Sequence, residues 1–525
     1  MKDQFPIGLL RVMGYGLILA ALTSILFVAP VSSAAQQEPA AASAGRRRLL
    51  VTVTDENGVA VPSARVTLVG VETQAAWKGE TDYAGRREFN DLPPGLYRVQ
   101  VEKEGFYAAS LSDVRVGNTN SLEITLNHQQ EFSEVMDVTY SPPAIDPTKT
   151  SASEGLNSQE IINIPYPSSR DVRNLLPFIP GVVQDVGGQI HVNGSSTNQT
   201  FTQLDGFNIT HPASGLSEMR VSADALRSIE VLGSRYSAEY GKGSGGVLSY
   251  ATGMGDDRYR FSATNFLPSL QNRKGIAFDN WTPRATFSGP LRRKKAWFFD
   301  AADAEYNVDI IEELPDGADR NHIWRIGNLA KAQVNWNPAH IFTAGLLVNR
   351  TRSDRAGISR FSPEETTRDL RRTGYLLTLK QQSYLANGML AEIGLGMNQF
   401  RIAERPLGQM PFVLSPDGAS GNFFRESESL ARRYQVIASL YLPPARWHGR
   451  HEFRVGTDLN RVTYDQFSER RSITILRENG TRARRIEFGN NPGFRINNFE
   501  AGGFVQDRWA LSKRSLLELG LRLDW

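Results

Sequence analysis

Leu226-Arg227-Ser228-Ile229-Glu230-Val231-Leu232, followed by Ser237-Ala238-Glu239-Tyr240-Gly241-Lys242-Gly243-Ser244-Gly245-Gly246-Val247-Leu248, is the passage on which the fold turns. The first run alternates apolar with polar residues around Ile229 and Val231 and reads as a strand. The second is a glycine loop that also satisfies G-x-G-x-x-G. Cradling a phosphate with that motif requires a helix N-terminus directly after it. Instead the loop leads into Val247-Leu248-Ser249-Tyr250-Ala251-Thr252, which is strand-like. Lys242 precedes Gly rather than Ser or Thr, which excludes a Walker A loop. The passage therefore reads as strand, glycine loop, strand, with no nucleotide site.

Upstream, Pro142, Pro143, Pro147, Pro165, Pro167, Pro177 and Pro180 leave no room for long helices. A short helix is expected from Asp171 to Leu176, stopped by Pro177. Then come Pro180-Gly181-Val182-Val183, Gly188-Gln189-Ile190-His191-Val192-Asn193-Gly194 and Thr202-Gln203-Leu204-Asp205-Gly206-Phe207-Asn208-Ile209. In order and spacing these blocks, with the opening passage, resemble the plug domain of TonB-dependent outer-membrane receptors. Where the family usually has an arginine-glycine pair, this chain has Asn193-Gly194. The resemblance implies a small α/β domain at 151–255 that blocks a barrel lumen. Asn193, Gly194, Asp205, Gly206, Glu230 and the Gly241–Gly246 loop (Gly241, Gly245 and Gly246 among them) would shape its gate.

Residues 46–127 carry strand-like runs at Leu49–Val53, Ala64–Val69, Arg87–Phe89, Leu96–Val101, Val114–Val116 and Leu122–Leu126. Turns such as Asp55-Glu56-Asn57-Gly58 and Leu92-Pro93-Pro94-Gly95 separate them, and about seven short strands at such spacing is sandwich patterning. Asp55, Asn57 and Asp82 lack the ligand series of a calcium loop and read as turn residues. The series Val53-Thr54-Asp55, Val61-Pro62-Ser63-Ala64, Leu92-Pro93-Pro94-Gly95-Leu96-Tyr97 and Gly105-Phe106 resembles the carboxypeptidase regulatory-like domain, which has a carbohydrate-binding-like fold. The likeness implies no peptidase activity.

At the N-terminus, Lys2 and Arg11 precede an apolar run from Val12 to Val31, and Ser33-Ala34-Ala35 comes next at cleavage-type spacing. Residues 1–35 read as a secretory signal peptide, with a retained membrane anchor as the other reading because the run is slightly long, and 36–45 as a disordered leader. Residues 128–150 read as a linker. Within it Glu134-Val135-Met136-Asp137-Val138-Thr139 alternates acidic with apolar residues, a pattern that suits strand addition to a partner's sheet edge. By position this segment resembles the TonB box; a plain linker is the other reading. The resemblance implies a TonB-type energy-coupling protein in the periplasm as partner.

Residues 256–525 read as wall strands. Phe453–Asn460 alternates, as do Tyr375, Leu377 and Leu379 against Gly374, Thr378 and Lys380; Leu517–Trp525 alternates throughout. Alternation fits a soluble sheet or a barrel facing lipid. The polar intervals 351–371 and 401–433 are expected to be extracellular loops. Residues 1–255 hold 19 basic, 26 acidic and 18 aromatic residues against 40, 30 and 32 in 256–525, so the halves are built for different surroundings. Gly289–Phe299 and Phe504–Trp509 resemble the early barrel of Oar-like TonB-dependent receptors. About eleven strands are expected from Tyr259 to Trp525, half of the roughly 22 in such transporters. The chain is therefore expected to be a fragment lacking the C-terminal half of the barrel, with a smaller barrel ending at Trp525 as the other reading.

The remaining composition excludes function classes. Length, 525 residues, suggests about three domains. A net charge of +3 makes no case for nucleic acid, and zero cysteines removes thiol catalysis, cysteine-bound zinc and disulfides. His128, His191, His211, His322, His340, His448 and His451 are scattered, read as solvated, and include no H-E-x-x-H; no G-x-S-x-G occurs. Glu364-Glu365 and Asp256-Asp257 read as solvated pairs. Arg292-Arg293-Lys294-Lys295 is expected at a membrane boundary.

The reading is a mainly β protein: an N-terminal sandwich, a small α/β plug and the first half of an antiparallel transmembrane barrel. The expected function is energy-coupled uptake of a bulky solute across the outer membrane of a Gram-negative cell. Siderophores, oligosaccharides and peptides are the candidate solutes, and outer-membrane lipid is the surroundings. No catalysis, cofactor or metal is expected. The rival is a surface adhesin holding glycan on the sandwich, with Trp77 as its aromatic platform.

Overall fold

The computed structural model describes residues 47–525 except 118–120, 130–151, 166–170, 235, 386–387, 490–492 and 513–514. The expected signal peptide, the leader and the segment 134–139 lie outside the described residues. Seven strands build the sandwich: β1 (Arg47–Asp55), β2 (Arg65–Gly70), β3 (Ala76–Glu80), β4 (Arg86–Leu92), β5 (Gly95–Glu102), β6 (Ala109–Val116) and β7 (Ser121–Leu126). They form two sheets, β4-β1-β7 and β3-β2-β5-β6, with β1 and β7 parallel. Alternate residues Leu49, Val51 and Val53 of β1 face Val66, Leu68, Val99 and Val101 in one core. Asp55 and Asp82 do turn work, as expected. Asp55 Oδ1 accepts from the amides of Asn57 (2.9 Å) and Val59 (2.8 Å), and Asp82 Oδ1 from Ala84 (3.0 Å) and Arg86 (2.9 Å). Trp77 is half-buried, edge-on to Tyr97 at 5.6 Å, and packs on the sandwich core. It is therefore a packing residue, which removes the aromatic platform of the adhesin reading.

The second domain is a five-stranded sheet. β8 (Ala152–Asn157), β11 (Thr200–Leu204), β12 (Phe207–Asn208), β13 (Leu226–Ser234) and β14 (Gly246–Thr252) lie in the order β12-β11-β14-β13-β8, with a separate hairpin of β9 (Val182–Gln184) and β10 (Ile190–Val192). β14 comes directly after the glycine loop, so the loop does enter a strand. The helix expected from Asp171 to Leu176 is instead two 3-10 turns, Val172–Asn174 and Leu176–Phe178. Asp171 caps the first, and Pro177 sits inside the start of the second. Proline is tolerated there because its missing N–H would have had no helical partner.

The main sheet of residues 260–524 is antiparallel, with eleven strands along its path, from Arg260–Thr264 to Ser515–Asp524, and two short strands beside it; a small hairpin and a four-stranded sheet in the connections stand apart from it. Leu517, Leu519, Leu521 and Leu523 form an exposed apolar row, as do Tyr375, Leu377 and Leu379. On the other face Leu376, at 3% exposure, joins the core of the second domain. The intervals 351–371 and 401–433 are corrected in part: strand takes up both ends of the first, to Ala356 and from Arg368, and most of the second. Strands Arg368–Tyr384, Leu390–Pro406 and Arg425–Tyr441 run 17 residues each. Their ladders continue past the apolar zone because cross-strand ion pairs replace the apolar ones, as in Arg401–Glu428 (2.7 Å) and Arg368–Glu404 (3.1 Å). One rim has short turns, such as Asn337–His340, and the other has long connections such as 406–425 and 470–493. Arg292–Lys295 occupies a short turn on the first rim.

Candidate functional site

The site is built where the second domain meets the inner face of the wall. Asp205 and Gly206 make the β11–β12 turn, with φ of +50° and +91°. Asp205 accepts from the amide (2.9 Å) and hydroxyl (2.6 Å) of Thr252, and Lys331 of the wall reaches it at 2.9 Å. Burial alone would raise the Asp205 carboxyl, but Lys331 and Thr252 outweigh it and hold the group low. The turn thus carries a fixed negative charge against a wall lysine. Close by, the Asn208 amide donates to Gln435 (3.0 Å), and its carbonyl accepts from Asn398 (2.8 Å).

The largest fastening was not legible in the sequence. Arg220 is buried between Met219 and Val221, and its Nε and Nη2 donate to Asp303 at 2.8 and 2.6 Å. Nη1 donates to Glu305 at 2.7 Å, while the Arg220 amide and carbonyl pair with the Asn349 side chain, both at 2.9 Å. Asp171 lies 3.8 Å from the same guanidinium and 2.8 Å from Arg173. Burial pushes the Asp171 carboxyl up; Arg173 and Arg220 more than offset this and keep it low. An isolated arginine between two apolar residues was the one local sign. Further pairs run from Asp224 to Arg284 (2.9 Å), Glu239 to Arg454 (2.6 Å) and Lys242 to Glu500.

The expected gate residues fall into two groups. Asp205, Gly206 and Gly241 meet the wall: a Cβ on Gly206 would touch Ile437, and one on Gly241 would collide with the Arg522 guanidinium. Asn193, Gly245 and Gly246 pack within the domain, whereas Gly194, with φ of +74°, makes an exposed turn with open space around it. The Asn193 side chain fills the space over Gly181 and Gly233, and a Cβ on Gly245 would strike Ser195. Gly246 has φ +145° and abuts Val192. Glu230 is exposed on β13, opposite Gly155 and Ser249.

Two expectations about side chains are corrected. His128, His211 and His451 are not solvated. His211 packs 4.9 Å from the Phe400 ring and accepts two backbone amides, and His451 pairs with Asp507 at 2.7 Å. His128 Nδ1 lies 2.9 Å from Glu56, and its Nε2 lies 3.2 Å from Arg227, which itself reaches Glu56 at 3.3 Å. Burial and Arg227 lower His128 to about 4. Burial would raise Glu56, but His128 and Arg227 hold it at about 2. Asp55, Glu56 and His128 bring ligand atoms within 4.8 Å of one another. The Arg227 guanidinium already balances that charge, so the cluster reads as an ion-pair node. The carboxylate pairs are not free either: Glu364 pairs with Arg355 and Asp256 with Arg260, both at 2.6 Å.

This arrangement, a small sheet domain fastened inside an antiparallel wall, has known counterparts. Residues 48–127 match the carboxypeptidase regulatory-like domain family, and residues 149–247 match the TonB-dependent receptor plug domain family. The fold is that of a TonB-dependent receptor. The outer membrane transporter YddB from Escherichia coli shares this receptor fold with a TM-score of 0.55 at 15% identity, over 71% of this chain and 56% of that one. FpvA, the pyoverdine outer membrane receptor of Pseudomonas aeruginosa, gives 0.55 at 14% identity, over 72% and 57%. Among curated proteins the chain is 25% identical, over 272 residues, to the TonB-dependent transporter Oar of Myxococcus xanthus. That match spans 45% of this chain and 24% of the relative's length. The resemblance read from the plug motifs is thus met by plug, wall and sandwich alike.

Proposed function

We propose that this chain belongs to an outer-membrane transporter that takes up a bulky solute, with energy supplied by a TonB-type protein in the periplasm. The observation that carries the reading is the plug held by charge pairs inside a wall whose outer face is an apolar row. An ordinary soluble sheet has no reason to expose Leu517, Leu519, Leu521 and Leu523 in register; a wall in lipid does. The segment Glu134–Thr139 is the proposed contact for the coupling protein, and residues 1–35 the proposed export signal. In this reading the short-turn rim is periplasmic and the rim of long connections is external. Asp205, Gly206 and Gly241 are the proposed gate residues at the wall, with Asn193, Gly194, Gly245 and Gly246 keeping the plug in shape behind them. Siderophore-type solutes are the first class to try, since FpvA is described bound to pyoverdine; oligosaccharides and peptides come next. No part of the proposal is enzymatic. Cell fractionation tests it: the chain should stay with outer membranes through a carbonate wash. Recovery in the soluble periplasmic fraction would end this reading.

A further inference from the structure

The N-terminal sandwich is not an idle appendage beside the wall. Its β1–β2 and β3–β4 turns are pressed into the short-turn rim. Asn57 is 1% exposed; its side-chain amide donates to the Gly255 carbonyl (2.9 Å), and its own carbonyl accepts from Gln333 (3.1 Å) and Asn335 (2.6 Å). The Ala60 amide donates to the Tyr384 hydroxyl at 2.7 Å, and Ala84 packs with Leu390 and Tyr441. At the far side Asp82 faces Arg450 (3.9 Å), and Glu80 pairs with Arg508 (3.1 Å).

These contacts run from strand Arg320–Asn337 to strand Gly493–Ser512, which are six strand steps apart. At about 4.8 Å per step that is roughly 30 Å of rim. The sandwich also grips the plug itself. Arg227 of β13 is held by Glu56 and His128 from two ends of the sandwich and donates to the Met254 carbonyl at 3.0 Å. Phe106 packs against His128 with the ring centroids 3.9 Å apart. A spacer would need neither a buried ion-pair node with the plug nor contacts along an arc of wall.

We propose that the sandwich is an exit cover: seated on the periplasmic mouth and clasped to the plug through Arg227, it must lift before solute can leave. The proposal rests on the transporter reading above. In it the barrel has two closures in series, the plug within and the sandwich beneath.

The chain has no cysteines, so single thiols report the seating cleanly. In the full chain in cells, Ala84→Cys probes the junction, Ser112→Cys on exposed β6 is the open control, and Ala225→Cys, buried in the plug, reports plug opening. With the proton-motive force collapsed by an uncoupler, Ala84→Cys should react with a maleimide at least about tenfold more slowly than Ser112→Cys, since a buried site reacts only on opening. Glu80→Arg should erase that protection, and adding Arg508→Glu should restore it. In energised cells Ala84→Cys should become reactive. Equal rates at Ala84→Cys and Ser112→Cys in uncoupled cells would show that the sandwich is not seated, and the proposal would fail. If Ala225→Cys responds to energisation and Ala84→Cys does not, the cover is wrong and the transporter reading stands. If neither responds, both fall.

Discussion

Replacing Arg220 with Met removes the cation that fastens the plug to the wall while keeping much of the side chain's bulk. Asp303, whose side chain is 4% exposed, then loses both its Nε and Nη2 bonds, whereas Glu305 keeps Arg325 at 2.7 Å. Removing one partner of a buried ion pair costs about 3–5 kcal/mol, because the other charge is left unpaired away from water. Since Glu305 retains a cation, the lower end applies, about 3 kcal/mol. At about 1.4 kcal/mol per tenfold, the opened plug should be populated roughly 100-fold more often. Ala301 of the wall, buried in the core shared with the plug, supplies the reporter. In an Ala301→Cys background the maleimide reaction rate tracks the open population. Arg220→Met should raise that rate about 100-fold, and adding Asp303→Asn should recover most of it, since a neutral amide carries no stranded charge. A rise of less than about threefold, ~0.6 kcal/mol, would refute the fastening. A double variant no slower than the single one would refute Asp303 as the partner.

Within the glycine loop, Gly243→Ala should cost about 2 kcal/mol or more in the unfolding midpoint. Its φ is +96° and the new Cβ would lie 2.6 Å from the Gly246 carbonyl. Gly241→Ala, which meets only the movable end of Arg522, should cost clearly less; equal costs would contradict this account. The sandwich node should split by pH. His128, lowered from 6.5 to about 4, lets the unfolded chain take the extra proton, so its contribution is lost as pH falls from about 6.5 to 4. Asp55 is raised from 3.8 to about 7 by burial and Glu56, so the folded chain holds the proton and gains stability as pH falls through that window. Urea midpoints from pH 7 to 4 should therefore fall less steeply in His128→Phe and more steeply in Asp55→Asn; shifts in the same direction would overturn the assignment. Trp77→Ala should lower sandwich stability by about 1 kcal/mol or more through the lost Tyr97 contact. A glycan array should show no binding for the parent domain, and binding that Trp77→Ala abolishes would revive the adhesin reading.

Sequence and structure agree where the information is periodic. The alternation in Leu49–Val53 and Leu517–Trp525 survives because each second residue must face core or lipid, and the glycine loop's exit into β14 was visible in its β-branched continuation. β3 escaped notice because Ala76-Trp77-Lys78-Gly79-Glu80 is a sheet-edge strand with little apolar alternation. The ends of the long wall strands escaped for a related reason: Arg401, Glu404 and Glu428 look like loop residues until their partners across the ladder are known. Arg220 with Asp303, and Glu56 with Arg227, join residues 83 and 171 positions apart. Such pairings leave no mark on local pattern. The burial of His128, His211 and His451 is likewise supplied by distant chain, through Arg227, Phe400 and Asp507.

The fastenings between plug and wall are spread along nearly all of the described wall strands, from Arg284 and Asp303 through Asn349, Asn398 and Gln435 to Glu500 and Arg522. Plug and wall are therefore not interchangeable parts. A plug grafted from a relative would have to supply a matching charge or amide at each of these stations, and every station missed would strand a polar group inside the lumen. Substitutions at inward-facing wall positions should thus be tied to substitutions in the plug, while outward positions, answering only to lipid, drift freely. Recombination among such genes should be tolerated in the long connections, and punished between the plug and the wall and equally at the sandwich boundary, where Glu56 and Asn57 would lose Arg227, Gln333 and Asn335.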